Sequence, residues 1–261
     1  INFYEKNYFN LKFVKIVPKT PSNIPEKEMF YNRKYNRYVK KKFDKRRIGY
    51  LHMIYFKSNM SLFGEWKCKN QFLMKYDYLM IIDDDSWFKN KIEFDLFNKL
   101  DNFPMATAVS SVCRDKNLIR TRENLLRFIS EYVDKENIDV KNECLRDILR
   151  SKDDNALTNL TFSMGNLDLF DLRVFKSEKY KNYIKSVNNF GGQYKYRWGD
   201  VEITNLFVHL YYESGIFNYN LPAEVYSPQY PNIKTVYFNQ NKNRFTTIII
   251  KILNKIKSFF N

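Results

Sequence analysis

Apolar and polar positions along the chain alternate between two periods. Residues 11–17 read as a strand, and the Pro-bearing segment after them as a loop. Residues 28–45 are charged and aromatic, with helical character, and Gly49 ends them. Residues 50–63 (YLHMIYFKSNMSLF) form an apolar stretch of mixed period that suits a buried helix. A five-residue apolar run over 78–82 has strand length. Residues 90–100 place Ile92, Leu96, Phe97 and Leu100 on one helical face. Residues 104–112 predict a strand. Residues 122–133 predict a helix with Leu125, Leu126, Ile129 and Val133 as its stripe. Residues 134–154 are highly charged and read as a surface helix or insertion. Residues 155–172 return to strand-like alternation, and 177–187 to a helix. Asp200 caps a further helix, whose apolar face is Ile203, Leu206, Phe207, Leu210 and Tyr211. A loop over 222–231 and a short strand over 234–238 follow, then a basic amphipathic tail. Strands alternating with helices predict an α/β fold with a mostly parallel central sheet flanked by helices. The expected division is one domain over 1–240 and the tail over 241–261.

The run 78–82 ends in three carboxylates, Asp83, Asp84 and Asp85. A buried strand ending this way sets them at the carboxyl edge of a sheet, where open α/β sheets bind ligands. Asp83 and Asp85 are two apart, so on an extended backbone they point to one side and repel unless a cation or proton intervenes. Hard oxygen ligands suit Mn²⁺ or Mg²⁺ bound with a nucleotide diphosphate. The plainer alternative is a solvated acidic turn before the next helix.

Composition narrows the function classes. The formal charge of +15 invites a polyanion, and residues 31–50 concentrate Lys and Arg among aromatics. Yet the 23 Phe and 20 Tyr beside only 7 Gly and 7 Pro, in a chain crowded with Lys, Asn and Ile, read as the product of an A/T-biased coding sequence. Nucleic acid is therefore not the favoured partner. The three cysteines, Cys68, Cys113 and Cys144, form no Cys-x-x-Cys pair, which argues against zinc and thioredoxin-type chemistry. No apolar run reaches the ~18–20 residues that span a bilayer, although the tail over 246–260 could lie on a membrane surface.

A second dense stretch runs over 191–200, Gly-Gly-Gln-Tyr-Lys-Tyr-Arg-Trp-Gly-Asp. Its paired Gly permit a tight turn. Arg197 is a fork donor suited to phosphate or carboxylate. Trp198 offers a face for a sugar, and Asp200 can accept sugar hydroxyls or cap a helix. The structural alternative is a turn before a helix with one buried Trp.

Five stretches occur in one order: Gly49-Tyr50-x-His52-Met53; Tyr76-Asp77-Tyr78 and the acidic triplet; Asn166-Leu167-Asp168-Leu169; Phe175-Lys176-Ser177 with Tyr180; and the Gly-Gly to Arg197-Trp198-Gly199-Asp200 stretch. This set resembles the glycolipid 2-alpha-mannosyltransferase family (glycosyltransferase family fifteen), from about residue 11 to about 231. The resemblance implies a GT-A glycosyltransferase fold, GDP-mannose as donor, Mn²⁺ (or Mg²⁺) as cofactor, and retaining α-1,2 transfer to a mannose-terminated glycan, in the Golgi if the source is eukaryotic. It implies Asp83 and Asp85 as metal ligands, and Asp168 and Asp200 as catalytic groups. Tyr50, His52, Tyr76, Asn166, Arg197, Trp198, Gly199 and Tyr226 then line the substrate site.

The chain departs from the family pattern. Asp83-Asp84-Asp85 stands where the family shows Glu-Pro-Asp, and Asp168 where it shows Glu. Tyr196 replaces a Glu. No His accompanies Tyr226, and His209 reads as a satisfied core histidine. Only 48 residues precede Gly49, fewer than the family's nucleotide-binding half needs. The expectation is an N-terminally truncated homologue, with little transferase activity in these 261 residues alone.

Overall fold

In the computed structural model, helix α1 (Ile48–Ser58) precedes strand β1 (Tyr78–Ile82), each lying on the apolar stretch that predicts it. The structure describes residues 18–30, 48–60, 63, 72–83, 86–88, 92–108, 110–112, 120–163, 165–219 and 225–226. The strands expected over 11–17 and 234–238, most of the helix over 28–45, and the tail lie outside the described residues. So do Asp84 and Asp85.

Next come β2 (Trp87–Phe88), β3 (Met105–Thr107) and β4 (Ser110–Val112). Helices α2 (Leu125–Glu136) and α3 (Glu143–Ser151) lead to β5 (Thr161–Ser163) and β6 (Leu167–Asp171). The short α4 (Leu172–Phe175), α5 (Glu178–Phe190), the short α6 (Gly192–Lys195) and α7 (Asp200–Tyr211) complete the helices, and β7 (Ile216–Asn218) and β8 (Val225–Tyr226) the strands.

The α/β class holds, but the pairing differs from a mostly parallel sheet. The main sheet has the order β1-β6-β3-β7. β6 runs antiparallel to both neighbours, and among the described strands only β3 and β7 pair in parallel. The cause is the route of the chain. It leaves the sheet through β3 and β4 and passes through α2 and α3. It then returns through β5, antiparallel to β4, and β6, antiparallel to β3. Apolar periodicity identifies strands without fixing their direction.

β6 is buried on both faces. Leu167 and Leu169 pack with Leu100, Ala106 and Ala108 on one side. Phe170 points the other way, into a larger core with Met105, Leu125, Ile129, Tyr180, Tyr183, Trp198 and Phe207. Asp168 shares the parity of Phe170, so it faces this helical layer.

Residues 90–100 do not form the expected helix; the described part is a series of turns. The Asp95 carboxylate accepts the Phe97 N–H (2.8 Å), and such local bonding favours a turn over a helix. The apolar set survives the change, since Leu96 and Phe97 still pack onto the smaller core. Helix ends follow their caps. The Asn142 side chain accepts from Leu145 N–H and that of Ser177 from Tyr180 N–H. Gly191 closes α5 in a left-handed conformation (φ 76°). Asp200 is the first residue of α7, one position inside its expected capping place, which Gly199 takes. His209 is a buried core residue, its Nε2 at 3.0 Å from the Thr161 carbonyl oxygen.

Candidate active site

Three segments far apart in sequence bring carboxylates to the carboxyl end of β1. Asp83 follows the strand directly, and its N–H donates to the Asn166 carbonyl (3.1 Å), adding a rung to the β1–β6 ladder. It shares the parity of Leu79 and Ile81, which pack on the helical core. Lys57, in the last turn of α1, meets it there with its Nζ 2.7 Å from Asp83 Oδ1. Both side chains are partly covered, 22% and 23% exposed. Asp168 enters from β6, opposite Ile81 on one side and Thr107 on the other. Asp200 enters from the first turn of α7, a helix that packs against α1.

Electrostatics tie the four groups together. Burial pulls the Lys57 ammonium down, but Asp200, Asp83 and Asp168 together hold it above its ordinary value. Asp168 is only 5% exposed, and burial pushes its carboxyl up to about 7. The hydroxyls of Thr107 and Ser163 oppose that rise and Asp200 adds to it. Its Oδ2 accepts from Ser163 Oγ (3.1 Å), while Oδ1 is buried without a hydrogen-bond partner among the described residues. Ser163 is fixed in turn by Asn205, whose Oδ1 accepts the Ser163 N–H at 2.7 Å. Burial also raises the Asp200 carboxyl, to about 6. Lys57 pulls it down, and Glu202 and Asp83 push it further up. Carboxyls displaced this way beside a fixed cation make the end of β1 a candidate functional site on physical grounds.

The stretch over 191–200 behaves differently. Trp198 is fully buried, its ring among Phe128, Phe190 and Tyr196, and its Nε1 donates to the Glu123 carbonyl (2.9 Å). No face is left for a sugar, so its assignment to the substrate site is corrected to packing. A Cβ on Gly192 would overlap the Trp198 ring, and one on Gly199 would overlap the Glu202 carboxylate. Glu202 pairs with the buried Arg122 (3.3 Å). Arg197 is buried in a left-handed conformation (φ 64°), its guanidinium 4.6 Å from the centre of the Tyr50 ring. His52 Nδ1 lies 3.0 Å from the Tyr194 hydroxyl. Tyr50 and His52 thus join α1 to this stretch.

The family model for glycolipid 2-alpha-mannosyltransferase matches residues 5–222. The chain belongs to the glycolipid 2-alpha-mannosyltransferase family. A curated relative of that name from Saccharomyces cerevisiae is 23% identical over 202 residues, which are 74% of this chain and 42% of the relative. The mannosyltransferase Ktr4p from S. cerevisiae, solved in complex with GDP, superposes with a TM-score of 0.59 at 20% identity, over 74% of this chain and 49% of its own. Core-mannan synthase A (CmsA/Ktr4) from Aspergillus fumigatus, in an Mn/GDP form, gives 0.55 at 17% identity, over 76% and 56%. This likeness establishes the fold, a GT-A-type glycosyltransferase α/β architecture. The chain spans about half the length of these relatives.

Within this family member the remaining motif residues separate. Asn166 joins the cluster through its backbone. Tyr226 pairs with Trp87 across β2 and β8, four residues beyond Asp83. Tyr76 does not join: it is 52% exposed before the start of β1, about 20 Å along the strand direction from Asp83. It is not among the residues that the fold brings together at Asp83. Lys57 is the site residue that the sequence pattern missed. Its one signal is a cation inside the otherwise apolar run 50–63, where a buried ammonium needs a counter-charge.

Asp83, Asp168 and Asp200 supply the oxygen donors that a hard divalent cation takes. Among the described residues, however, no three acidic, His or Cys side chains close on one point, and Asp83 Oδ1 already meets the Lys57 ammonium. The described residues fit such an ion in kind but not in number.

Proposed function

We propose that this chain carries the catalytic part of a retaining α-1,2-mannosyltransferase that uses GDP-mannose as donor and a mannose-terminated glycan as acceptor. The observation that supports it most is the convergence of Asp83, Asp168 and Asp200 around Lys57 at the end of β1, in a member of a mannosyltransferase family. Residues 1–240 would be its single catalytic unit, and 241–261 a basic tail available to an anionic membrane surface. The setting would be the Golgi lumen, as the family resemblance implies.

Each group has a role that its surroundings suit. Asp168, when ionised, faces the anomeric carbon and holds the positive charge that develops as the diphosphate departs. Among the described residues its Oδ1 carries no competing hydrogen bond, and Ser163 fixes Oδ2. Asp200 accepts sugar hydroxyls from the end of a rigid helix. A bound Mn²⁺, which fits here only if Asp85 completes the set with the second carboxylate oxygen of Asp83, would neutralise the leaving diphosphate. The chain's own cation, Lys57, holds the Asp83 side chain in place through their 2.7 Å contact.

Calorimetry with GDP and Mn²⁺ tests the donor, and transfer from GDP-mannose to a mannoside tests the reaction. The transfer assay uses the 261-residue chain and the same chain extended at its N-terminus. Asp85→Asn is expected to abolish Mn²⁺-supported GDP binding, and Asp168→Asn to abolish transfer while GDP still binds. GDP binding unchanged in both Asp83→Asn and Asp85→Asn would overturn this placement of the donor.

A further inference from the structure

Lys57 is held more firmly than a surface lysine. The turn that follows it is pinned from two sides: the Tyr180 hydroxyl donates to the Ser58 carbonyl, and Asn188 Nδ2 donates to Asn59 Oδ1 (2.8 Å). From that fixed base its ammonium reaches Asp83 at 2.7 Å and is also attracted by Asp200 and Asp168. Close to them the enclosed Oδ1 of Asp168 has no hydrogen-bond partner among the described residues.

We propose that Lys57 is the resident counter-cation of this cluster, occupying at Asp83 the place that a divalent ion would otherwise take. The inference rests on the donor site proposed above and deepens it. A second cation brought to Asp83 meets the ammonium at close range in a partly desolvated setting, where like charges repel far more than in water. Lys57 thus weakens metal binding. It also lets the site tolerate a nucleoside diphosphate with less help from metal, because part of the positive charge is already built in.

The test titrates Mn²⁺ alone into the 261-residue chain and follows free Mn²⁺ by electron paramagnetic resonance. Lys57→Met is expected to bind Mn²⁺ about tenfold more tightly than the parent, since removing one close like charge is worth at least that factor. Lys57→Gln, which keeps a donor for Asp83 but no charge, should show the same gain and serves if the Met variant fails to fold. Lys57→Arg should bind as weakly as the parent, and adding Asp83→Asn to Lys57→Met should remove the gain. Mn²⁺ bound no more tightly, or more weakly, by both neutral variants would overturn the proposal and leave Lys57 as a strut that orients a metal ligand. A parallel titration with GDP in the presence of Mn²⁺ separates the two readings. If GDP fails to bind every variant while the Mn²⁺ gain appears, the donor reading fails and the role of Lys57 stands.

Discussion

The stretch over 191–200 and the end of β1 are the two regions richest in candidate chemistry, and the fold uses them in opposite ways. The first carries the more specific motif, yet its Trp198 is enclosed by aromatic rings and its Arg197 is buried against Tyr50. The second carries a short acidic run of a kind common by chance. It is the first residue of this run, Asp83, that meets a lysine, beside two further carboxylates whose proton affinities are shifted. A motif can be specific because its packing tolerates nothing else: Gly192 must be small since the Trp198 ring lies where a Cβ would go. Chemical readiness instead shows in groups that the fold leaves short of partners.

Substitutions can break that contrast. The largest effect is expected from Trp198→Ala, which should cost about 3–5 kcal/mol in denaturant unfolding, as for other large buried aromatics. Asp168→Asn should act in the opposite direction. The folded carboxyl is raised from its ordinary value near 4 to about 7, so between those pH values the folded chain holds more protons than the unfolded one. Parent stability should therefore fall as pH rises from about 4 to about 7 and then level off. Asn at 168 should flatten this slope and gain at most about 4 kcal/mol at pH 8, measured by urea unfolding against pH. An unchanged slope would place the buried charge elsewhere. Transfer activity, if Asp168 must be ionised, should rise through the same window.

Gly192→Ala comes next, at about 1–3 kcal/mol for overpacking against Trp198. The smallest effect is expected from Tyr183→Phe, about 1 kcal/mol for the hydroxyl that donates to the Ile203 carbonyl (3.0 Å). If both glycine and tyrosine changes lowered GDP affinity without lowering stability, the aromatic region would be a binding surface after all.

Much of the fold was legible because long apolar stretches have a single solution. The run 78–82 is β1, and the face Ile203, Leu206, Phe207 and Leu210 is the buried side of α7. Residues 90–100 were misleading because Ile92, Leu96, Phe97 and Leu100 satisfy a helical period while Asp95 bonds its own neighbour and turns the chain. Strand direction was not legible, since β6 lies between β1 and β3 only through pairings remote in sequence. In the site, Asp83, Asp168 and Asp200 could be named from motifs. Lys57 could not, because a lysine in an apolar helix gives no indication of which carboxylate will meet it. Trp198 misled because a flat face available for stacking and one covered by Phe190 look alike in sequence.

The hydrogen bond from Asp83 N–H to the Asn166 carbonyl has a further consequence. It makes Asp83 the last rung of a ladder rather than the first residue of a loop. Its amide should therefore exchange with deuterated solvent on the slow timescale of β1 rather than with the turns beyond it. Fixing one residue's backbone takes about 1–2 kcal/mol of conformational entropy. At Asp83 that ordering is completed by folding itself, so an incoming ligand meets a carboxylate already aimed and does not have to organise it.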